Sequence, residues 1–245
     1  MTDDPFKSFA EHYDAFGRDD PALLEFFRRL VEKYDLKSVL DCACGTGDDI
    51  ILLHSLGLDV TGSDISSAML QMAQKKLSAH NMDTPLVRVD FRYLHENFNR
   101  EFDAVFCMST SLPQLREEQE IIKALNSMRS IIRPGGILVL SQGMSDRQYN
   151  FRHRFIPVIN TPEFSRIMVI DYFEYEWEVH VLDVIHTQEN CDFKSSRFRY
   201  RTMLCDDYEK LLGEAGFSSL DFLGNPQFDP YDKNTSGQLI VIAEK

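Results

Sequence analysis

Residues 39–47 read Val-Leu-Asp-Cys-Ala-Cys-Gly-Thr-Gly, an apolar strand that ends near an acid and runs into a turn of small residues. Because glycine has no Cβ, a ligand can lie directly against the backbone of such a turn. The helix that follows presents backbone N–H groups that have no partner inside the helix. The stretch therefore predicts a ligand-binding turn between a strand and a helix, a feature that several nucleotide-binding families share.

The spacing of the glycines narrows the choice among those families. A dinucleotide fingerprint needs a third glycine where this chain has Ile50, counted from Gly45 and Gly47, or Asp48, counted from Ala43 and Gly45. A phosphate-binding loop needs a lysine after its glycines, and none follows here. The pattern therefore disfavours a nicotinamide-dependent oxidoreductase and favours a nucleoside without a pyrophosphate.

On both sides of this turn, residues 37–142 alternate short β-rich runs with helical patterns, which is typical of a parallel sheet flanked by helices. The predicted strands are 37–41, 58–63, 86–89, 102–107 and 137–141, and the predicted helices are 47–56, one capped by Ser66 or Ser67, and 117–132. Pro134, Gly135 and Gly136 are expected to separate the last helix from the fifth strand.

Asp41-x-Ala43-x-Gly45-x-Gly47 resembles the first motif of the class I S-adenosylmethionine-dependent methyltransferases, with alanine in place of the first glycine. The resemblance continues in order through the segments 61–66, 89–91, 102–109 and 133–138. It implies an α/β fold with a Rossmann-like, seven-stranded, mostly parallel sheet flanked by helices. It also implies S-adenosyl-L-methionine as cofactor, bound beyond the carboxyl ends of the strands.

The same resemblance implies roles for individual residues. Asp64 would accept hydrogen bonds from both ribose hydroxyls, since a carboxylate can accept two donors at once. Asp90 would lie near the exocyclic amine of adenine and Phe91 against its ring. The candidate cofactor-binding residues are Tyr13, Asp41, Ala43, Gly45, Thr46, Gly47, Asp64, Ile65, Met69, Asp90, Phe91 and Met108. For Asp64, capping of the helix after it is an equally good interpretation.

Two regions lie outside the alternating pattern. At the front, Phe6, Phe9, Tyr13 and Phe16 recur at helical spacing and predict an amphipathic helix, and Asp20-Pro21 is typical of the start of a second one. We therefore expect one domain with an N-terminal helical cap (1–35), a cofactor-binding core (36–142 and 204–245) and an inserted lid (143–203).

In the insertion, apolar residues alternate with polar or charged ones, which is typical of antiparallel strands. A turn within 188–192 would place Glu178 opposite Arg201 and Val179 opposite Tyr200, with charges on one face and apolar groups on the other. A charge-paired, solvated face is the preferred interpretation of those charges.

Methyl transfer requires few catalytic groups, because a sulfonium methyl is already activated and orientation supplies most of the acceleration. The candidate bases are His12, Tyr13 and His153. Tyr13 also suits a position over the sulfonium, where an aromatic face favours a cation. The N-terminal aromatic helix and the insertion are similar to the small-molecule branch of the family, which includes glycine- and sugar-amine-type N-methyltransferases. The candidate substrate-binding residues are Ser109, Arg152, Arg154 and Arg166, where an arginine would grip a carboxylate.

Composition limits the partners. Acidic residues outnumber basic ones by 39 to 26, giving a formal net charge of −13. Nucleic acids and anionic membranes need a basic footprint, so neither is expected, and in-line methylation of a small-molecule nitrogen or oxygen is the preferred function. The five cysteines form an odd set without metal-site spacing, which predicts a reducing cytoplasm and no metal. The alternatives are a sensor that binds the cofactor without turnover and a methyltransferase of RNA or protein.

Overall fold

The computed structural model describes residues 4, 6, 10, 13–16, 21–142, 144–186 and 190–245. The α-helices are α1 (Pro21–Tyr34), α2 (Asp48–Ser55), α3 (Ser67–Ala79), α4 (Leu94–Asn97), α5 (Glu118–Ser130), α6 (Asp146–Phe151) and α7 (Cys205–Glu214). The strands are β1 (Ser38–Cys42), β2 (Asp59–Asp64), β3 (Leu86–Arg88), β4 (Phe102–Cys107), β5 (Ile132–Gln142), β6 (Phe155–Asn160), β7 (Phe164–Tyr172), β8 (Glu176–His186), β9 (Cys191–Arg201), β10 (Ser219–Leu223) and β11 (Leu239–Glu244).

A seven-stranded sheet has the order β10-β11-β5-β4-β1-β2-β3. The pairs among β1 to β5 are parallel, whereas β11 runs antiparallel to β5 and to β10. After β3 the chain crosses back over β1 to form β4, so the strand order reverses between β1 and β4. Open α/β sheets bind ligands outside the carboxyl ends of the strands at such a reversal.

The central strands are buried on both faces, as the predicted parallel sheet requires. Val39 and Leu40 of β1 are fully buried, and each belongs to a different apolar cluster. Ser66 caps α3, since its Oγ accepts a hydrogen bond from the Met69 N–H at 3.1 Å. The predicted sheet with flanking helices is confirmed. Within the described residues, no helix is both long and apolar enough to cross a membrane.

β5 begins five residues before the predicted strand. Ile132 pairs with Phe102 and Ile137 with Ala104, so residues 133–136 bulge out of the parallel ladder. A Cβ at Gly136 would lie 2.5 Å from the carbonyl oxygen of Asp103, which explains why a residue without a side chain stands there. The Pro-Gly-Gly segment therefore forms a bulge inside the strand and does not precede it.

A second, antiparallel sheet has the order β6-β7-β8-β9. The predicted hairpin forms, but its predicted register is wrong by two residues. Glu178 pairs with Arg199 rather than Arg201, and Val179 pairs with Phe198 rather than Tyr200. A shift of two keeps every side chain on its own face, because the side-chain period of a strand is two, so charges still oppose charges.

The N-terminal helical pattern falls mostly outside the described residues. A 3-10 turn spans Tyr13–Phe16, and Phe9 lies outside the described residues. The next helix begins at Pro21, as its sequence predicts, while its expected cap, Asp20, also lies outside them.

Candidate active site

The turn after β1 has a backbone that bends sharply next to open space. Ala43 and Gly45 have φ values of +86° and +54°, both in the left-handed region. The N–H groups of Ala43 and Cys44 donate to the carbonyl oxygen of Ser63 at 2.7 and 2.9 Å, which fixes the turn on the end of β2. A Cβ on Gly45 would point toward the ring of Tyr13, 3.8 Å away. The bare backbone of Gly45 therefore faces the space in front of the sheet.

Asp64, the last residue of β2, connects this turn with α3. Its Oδ2 accepts the Gly45 N–H at 2.9 Å and its Oδ1 accepts the Ser66 N–H at 2.8 Å. A carboxylate has about four lone-pair sites, so these two bonds leave it capacity for a further donor. Burial raises the pKa of this carboxyl, although hydrogen bonds from the backbone N–H groups of Ser66, Gly45 and Ile65 oppose that effect. Asp64 thus bonds to the residue that precedes α3 and also lines the cavity, where it can accept a further hydrogen bond.

Asp90, after β3, is held by its own neighbour. Nε of Arg92 lies 3.0 Å from both Oδ1 and Oδ2, and the Arg92 N–H donates to Oδ1 at 2.9 Å. Arg92 also pairs with Glu120 on α5. Burial alone would raise the pKa of Asp90, but the hydrogen bonds from Arg92 outweigh it and lower the pKa. The segment that follows β3 is thus fixed in place by a charged network.

The N-terminal segment is bonded to both halves of the molecule. Asp4 accepts from the Ser66 hydroxyl at 2.8 Å, and Asp14 accepts from the Thr46 hydroxyl at 2.6 Å. Phe6 stacks on Phe198 of β9 with ring centroids 5.4 Å apart. The described residues Asp4, Phe6 and Asp14 therefore connect the parallel sheet with the second sheet beside the turn after β1.

One cavity of about 940 Å³ joins these elements to the second sheet. That volume lies near the upper end of the range of about 300–1,000 Å³ for small-molecule sites. On the side of the first sheet its described lining includes Tyr13, Asp14, Ala43, Gly45, Asp48, Asp64, Ile65, Met69, Val89, Asp90, Phe91, Arg92, Ser109, Thr110 and Ser111. On the other side it includes Met144, Gln148, His153, Phe155, Ile156, Pro157, Met168, Ile170, Tyr172, Trp177, Val179, Val181, Phe198 and Tyr200.

The structure brings together many of the residues that the sequence singles out. The predicted residues in the described lining are Tyr13, Ala43, Gly45, Asp64, Ile65, Met69, Asp90, Phe91, Ser109 and His153. The predicted residues next to the turn but outside that lining are Asp41, Thr46, Gly47 and Met108, all of them buried. His12 lies outside the described residues. His153 is exposed at the rim, with its ring stacked on Phe151.

The three arginines expected to grip a carboxylate do not line the cavity. Arg166 is fully buried and makes a two-point ion pair with Asp183, at 2.5 and 2.7 Å. Arg154 is exposed and pairs with Asp171 at 2.8 Å. The exposed Arg152 lies over the ring of Tyr149. A grip by these side chains therefore finds no support in the geometry, because none of the three lines the cavity.

Sequence reasoning missed most of the second wall. Trp177, Val179 and Val181 are buried on one face of β8 and reach the cavity, and the ring of Trp177 stacks on Tyr200 at 4.4 Å. The sequence signal that could have found them is the alternation of apolar and polar residues in the insertion. An apolar face of a lid-like sheet has to cover something, and the glycine turn is the nearest feature that needs a cover.

Comparison with known proteins identifies the family. The family model described as a methyltransferase domain matches residues 39–136. A glycine/sarcosine N-methyltransferase of Aphanothece halophytica is 34% identical over 228 residues, which cover 90% of this chain and 81% of that protein. The chain belongs to the class I S-adenosylmethionine-dependent methyltransferases. This methyltransferase is also 38% identical, over 125 residues, to a glycine/sarcosine N-methyltransferase of Parasynechococcus marenigrum (strain WH8102), covering 50% of the chain and 44% of that protein.

The fold agrees with that family. The crystal structure of an S-adenosylmethionine-dependent methyltransferase from Clostridium acetobutylicum ATCC 824 superimposes with a TM-score of 0.84 at 19% identity, covering 98% of each chain. The resemblance drawn from the motifs is confirmed, and S-adenosyl-L-methionine is the cofactor of this enzyme. The residues present fit that group, because Gly45 leaves its backbone open to the cavity and Asp64 keeps acceptor capacity there.

Proposed function

We propose that this methyltransferase transfers the methyl group of S-adenosyl-L-methionine to a nitrogen atom of a small molecule by in-line displacement. The observation that carries the proposal is the single cavity that runs from the glycine turn to the apolar face of the second sheet. The turn marks the cofactor end, and the second sheet forms the wall of the acceptor end. The second sheet, with residues 143–203, acts as the lid of this site.

In this proposal the residues of the first sheet hold the cofactor. Gly45 lets the nucleoside lie against the backbone, Asp64 accepts both ribose hydroxyls, and Phe91 supports the adenine ring. Tyr13 lies 3.8 Å from the place where a Cβ of Gly45 would be, so its ring borders the same space. When bound, the cofactor supplies a methyl group activated by a positively charged sulfur.

A small acceptor fits the site better than a macromolecule. The acceptor end is a concave space between two sheets and not a flat or open surface, and the cavity as a whole is in the size range of small-molecule sites. The formal net charge of −13 opposes docking on RNA. The role of the protein is then to hold the acceptor in line and to keep water out, which converts an encounter of two molecules into a reaction within one complex.

A nitrogen acceptor is favoured because the acids of the described lining are already engaged: Asp14 and Asp48 pair with Lys76, and Asp64 holds the ribose in this proposal. His153 is exposed at the rim, and Asp90 is engaged by Arg92. Burial raises the pKa of Tyr200, so its hydroxyl stays protonated at neutral pH. An ammonium group loses its proton to solvent far more readily than an alcohol does, and the resulting neutral amine then attacks without a buried base. The relative from Aphanothece halophytica is likewise named an N-methyltransferase.

The electron balance of the step is simple. The amine nitrogen supplies the electron pair of the new N–C bond, and the bond between that methyl carbon and sulfur breaks with its pair staying on sulfur. The methylated nitrogen then carries the positive charge, and it releases a proton to solvent.

Matched acceptors test this function. The full-length protein, S-adenosyl-L-methionine and a panel of small amines would be assayed for S-adenosylhomocysteine release, with the methylated product identified by mass spectrometry. Each amine is paired with the alcohol of the same carbon skeleton. Turnover of amines but not of alcohols is expected. Turnover of the alcohols instead contradicts nitrogen transfer, and calorimetric cofactor binding without turnover of any acceptor in the panel would support the sensor alternative.

A further inference from the structure

The acceptor end of the cavity has a wall of apolar and aromatic side chains. Ile170 on β7 and Trp177, Val179 and Val181 on β8 form a buried cluster of their own, against which Tyr200 packs. All of them line the cavity. A molecule placed on this wall loses its water shell, which favours apolar surface by about 25 cal/mol per Å² and penalises a charge that has no partner.

The described lining offers a carboxylate neutral donors such as Gln148 and Ser111, but no cation that is not already paired. Its one guanidinium belongs to Arg92, which is already paired with Asp90 and Glu120. Arg166 is buried against Asp183, and Arg154 pairs with Asp171, as described above. A carboxylate in the acceptor space would therefore be buried without a free cationic partner among the described residues, which is strongly unfavourable.

The same lining suits a cation or an amine. Its other charged side chains are the carboxylates of Asp14, Asp48 and Asp64, and because Asp14 and Asp48 share the single ammonium of Lys76, the cofactor end keeps a net negative charge. Trp177 and Tyr200 present stacked rings, and aromatic faces attract positive charge. An amine group is thus drawn toward the glycine turn, while an apolar body gains from the wall of the second sheet.

We propose that the acceptor is a hydrophobic amine without a carboxylate, such as an arylalkyl or alkyl amine. This inference rests on the proposed function and specifies its substrate class. The apolar body packs against Trp177 and Val179, and the nitrogen points toward Gly45. Free amino acids such as glycine and sarcosine are then poor acceptors, although relatives of this chain carry the name glycine/sarcosine N-methyltransferase.

The first test compares amines that differ only in a carboxylate. 2-Phenylethylamine is paired with phenylalanine, and methylamine with glycine, and kcat/KM is measured from S-adenosylhomocysteine release. We expect kcat/KM for 2-phenylethylamine to exceed that for phenylalanine at least about 100-fold, since burial of a carboxylate without a cationic partner is strongly unfavourable. We also expect 2-phenylethylamine to exceed methylamine, which lacks the apolar body.

The second test places a cation in the wall. Met168 lines the cavity, whereas its neighbour Ile167 is 39% exposed and points to the other face of β7. Met168→Lys should lower kcat/KM for 2-phenylethylamine at least about 10-fold, because the lysine repels the amine. It should also reduce the ratio of this kcat/KM to that for phenylalanine, because the lysine can pair with a carboxylate. The matched control, Ile167→Lys, should leave both values unchanged. Thermal unfolding and calorimetric cofactor binding verify that both variants fold.

The outcomes separate this inference from the proposed function. Preferred turnover of glycine, sarcosine or phenylalanine over 2-phenylethylamine overturns the hydrophobic-amine acceptor and leaves methyl transfer to nitrogen intact. The hydrophobic-amine acceptor is also overturned if Met168→Lys changes kcat/KM for neither acceptor more than the Ile167→Lys control does. No S-adenosylhomocysteine from any acceptor, with the cofactor bound, contradicts the proposed function and the inference together.

Discussion

Replacing Asp64 by asparagine tests how the cofactor is held. The carboxylate accepts the Gly45 N–H with one oxygen and the Ser66 N–H with the other, and it lines the cavity with capacity for a further donor. Asparagine has a single acceptor oxygen, and its NH₂ group presents donors where the chain and the ribose also present donors. Asp64→Asn therefore loses one charge-assisted bond to the chain and at least one to the cofactor.

The expected loss of cofactor affinity follows from those bonds. A hydrogen bond to a charged group contributes about 1.5–3 kcal/mol, so the lost ribose bond should weaken cofactor binding by roughly 10- to 150-fold. The bond to the chain is lost in the free protein as well, so it lowers the free energy of unfolding without adding to the affinity change. Because burial raises the pKa of Asp64, the wild-type affinity should fall on acidification at a pH above the ordinary carboxyl range, whereas the asparagine variant lacks this dependence.

Titration calorimetry with S-adenosyl-L-methionine, at several pH values, measures both effects. Asp59 is the matched control, since it lies at the other end of β2, is exposed, and pairs with Arg100 at 2.7 Å. Asp59→Asn should bind the cofactor as the wild type does. If Asp64→Asn binds within a factor of two of the wild type and only unfolds more easily, Asp64 is a helix cap and the assignment of the ribose site is wrong.

Four further substitutions test the backbone and a half-buried carboxylate. Gly45→Val should weaken cofactor binding at least about 100-fold, because a φ of +54° is strained for a residue with a Cβ and the side chain would enter the cavity toward Tyr13. Gly57→Val, with a φ of +81° and no atom within 4 Å of a Cβ, should lower the melting temperature but leave calorimetric affinity unchanged; equal affinity losses would contradict the site. Burial would raise the pKa of Asp103, but hydrogen bonds from an arginine and two backbone N–H groups lower it to about 2, so it contributes about 2 kcal/mol above pH ~4 that is lost toward pH ~2. Urea unfolding of Asp103→Asn should therefore show a deficit of that size at pH 7 that shrinks between those pH values, and a deficit that is constant with pH would refute the argument. Ala43→Gly should raise the free energy of unfolding by about 0.5–1 kcal/mol, since relief of a left-handed φ of +86° exceeds the added chain entropy, and a lower melting temperature would contradict this.

Local signals in the sequence were sufficient for the first sheet. The strands β1, β3 and β4 are centred on short apolar runs, and Ser66 caps its helix where a serine precedes an apolar face. Such features depend on neighbours in the chain, so the pattern alone reveals them. The bulge at 133–136 depends instead on how β5 pairs with β4, which the pattern cannot show.

Long-range pairing explains what the sequence did not reveal. Arg166 was expected at the acceptor, yet it is buried because Asp183 stands directly opposite it on β8. The hairpin register differed by two because a strand pattern of period two is equally well satisfied by either pairing. In both cases the partner, 17 residues away or across a turn, decides the role of the side chain.

The strands of the second sheet pair with one another in chain order. None of them belongs to the parallel sheet that carries the glycine turn. Side chains at alternate positions of β7 and β8 can therefore be replaced while the residues of the parallel strands stay the same. Natural divergence, or a mutant library restricted to these alternate positions, could thus exchange one methyl acceptor for another without rebuilding the nucleoside pocket.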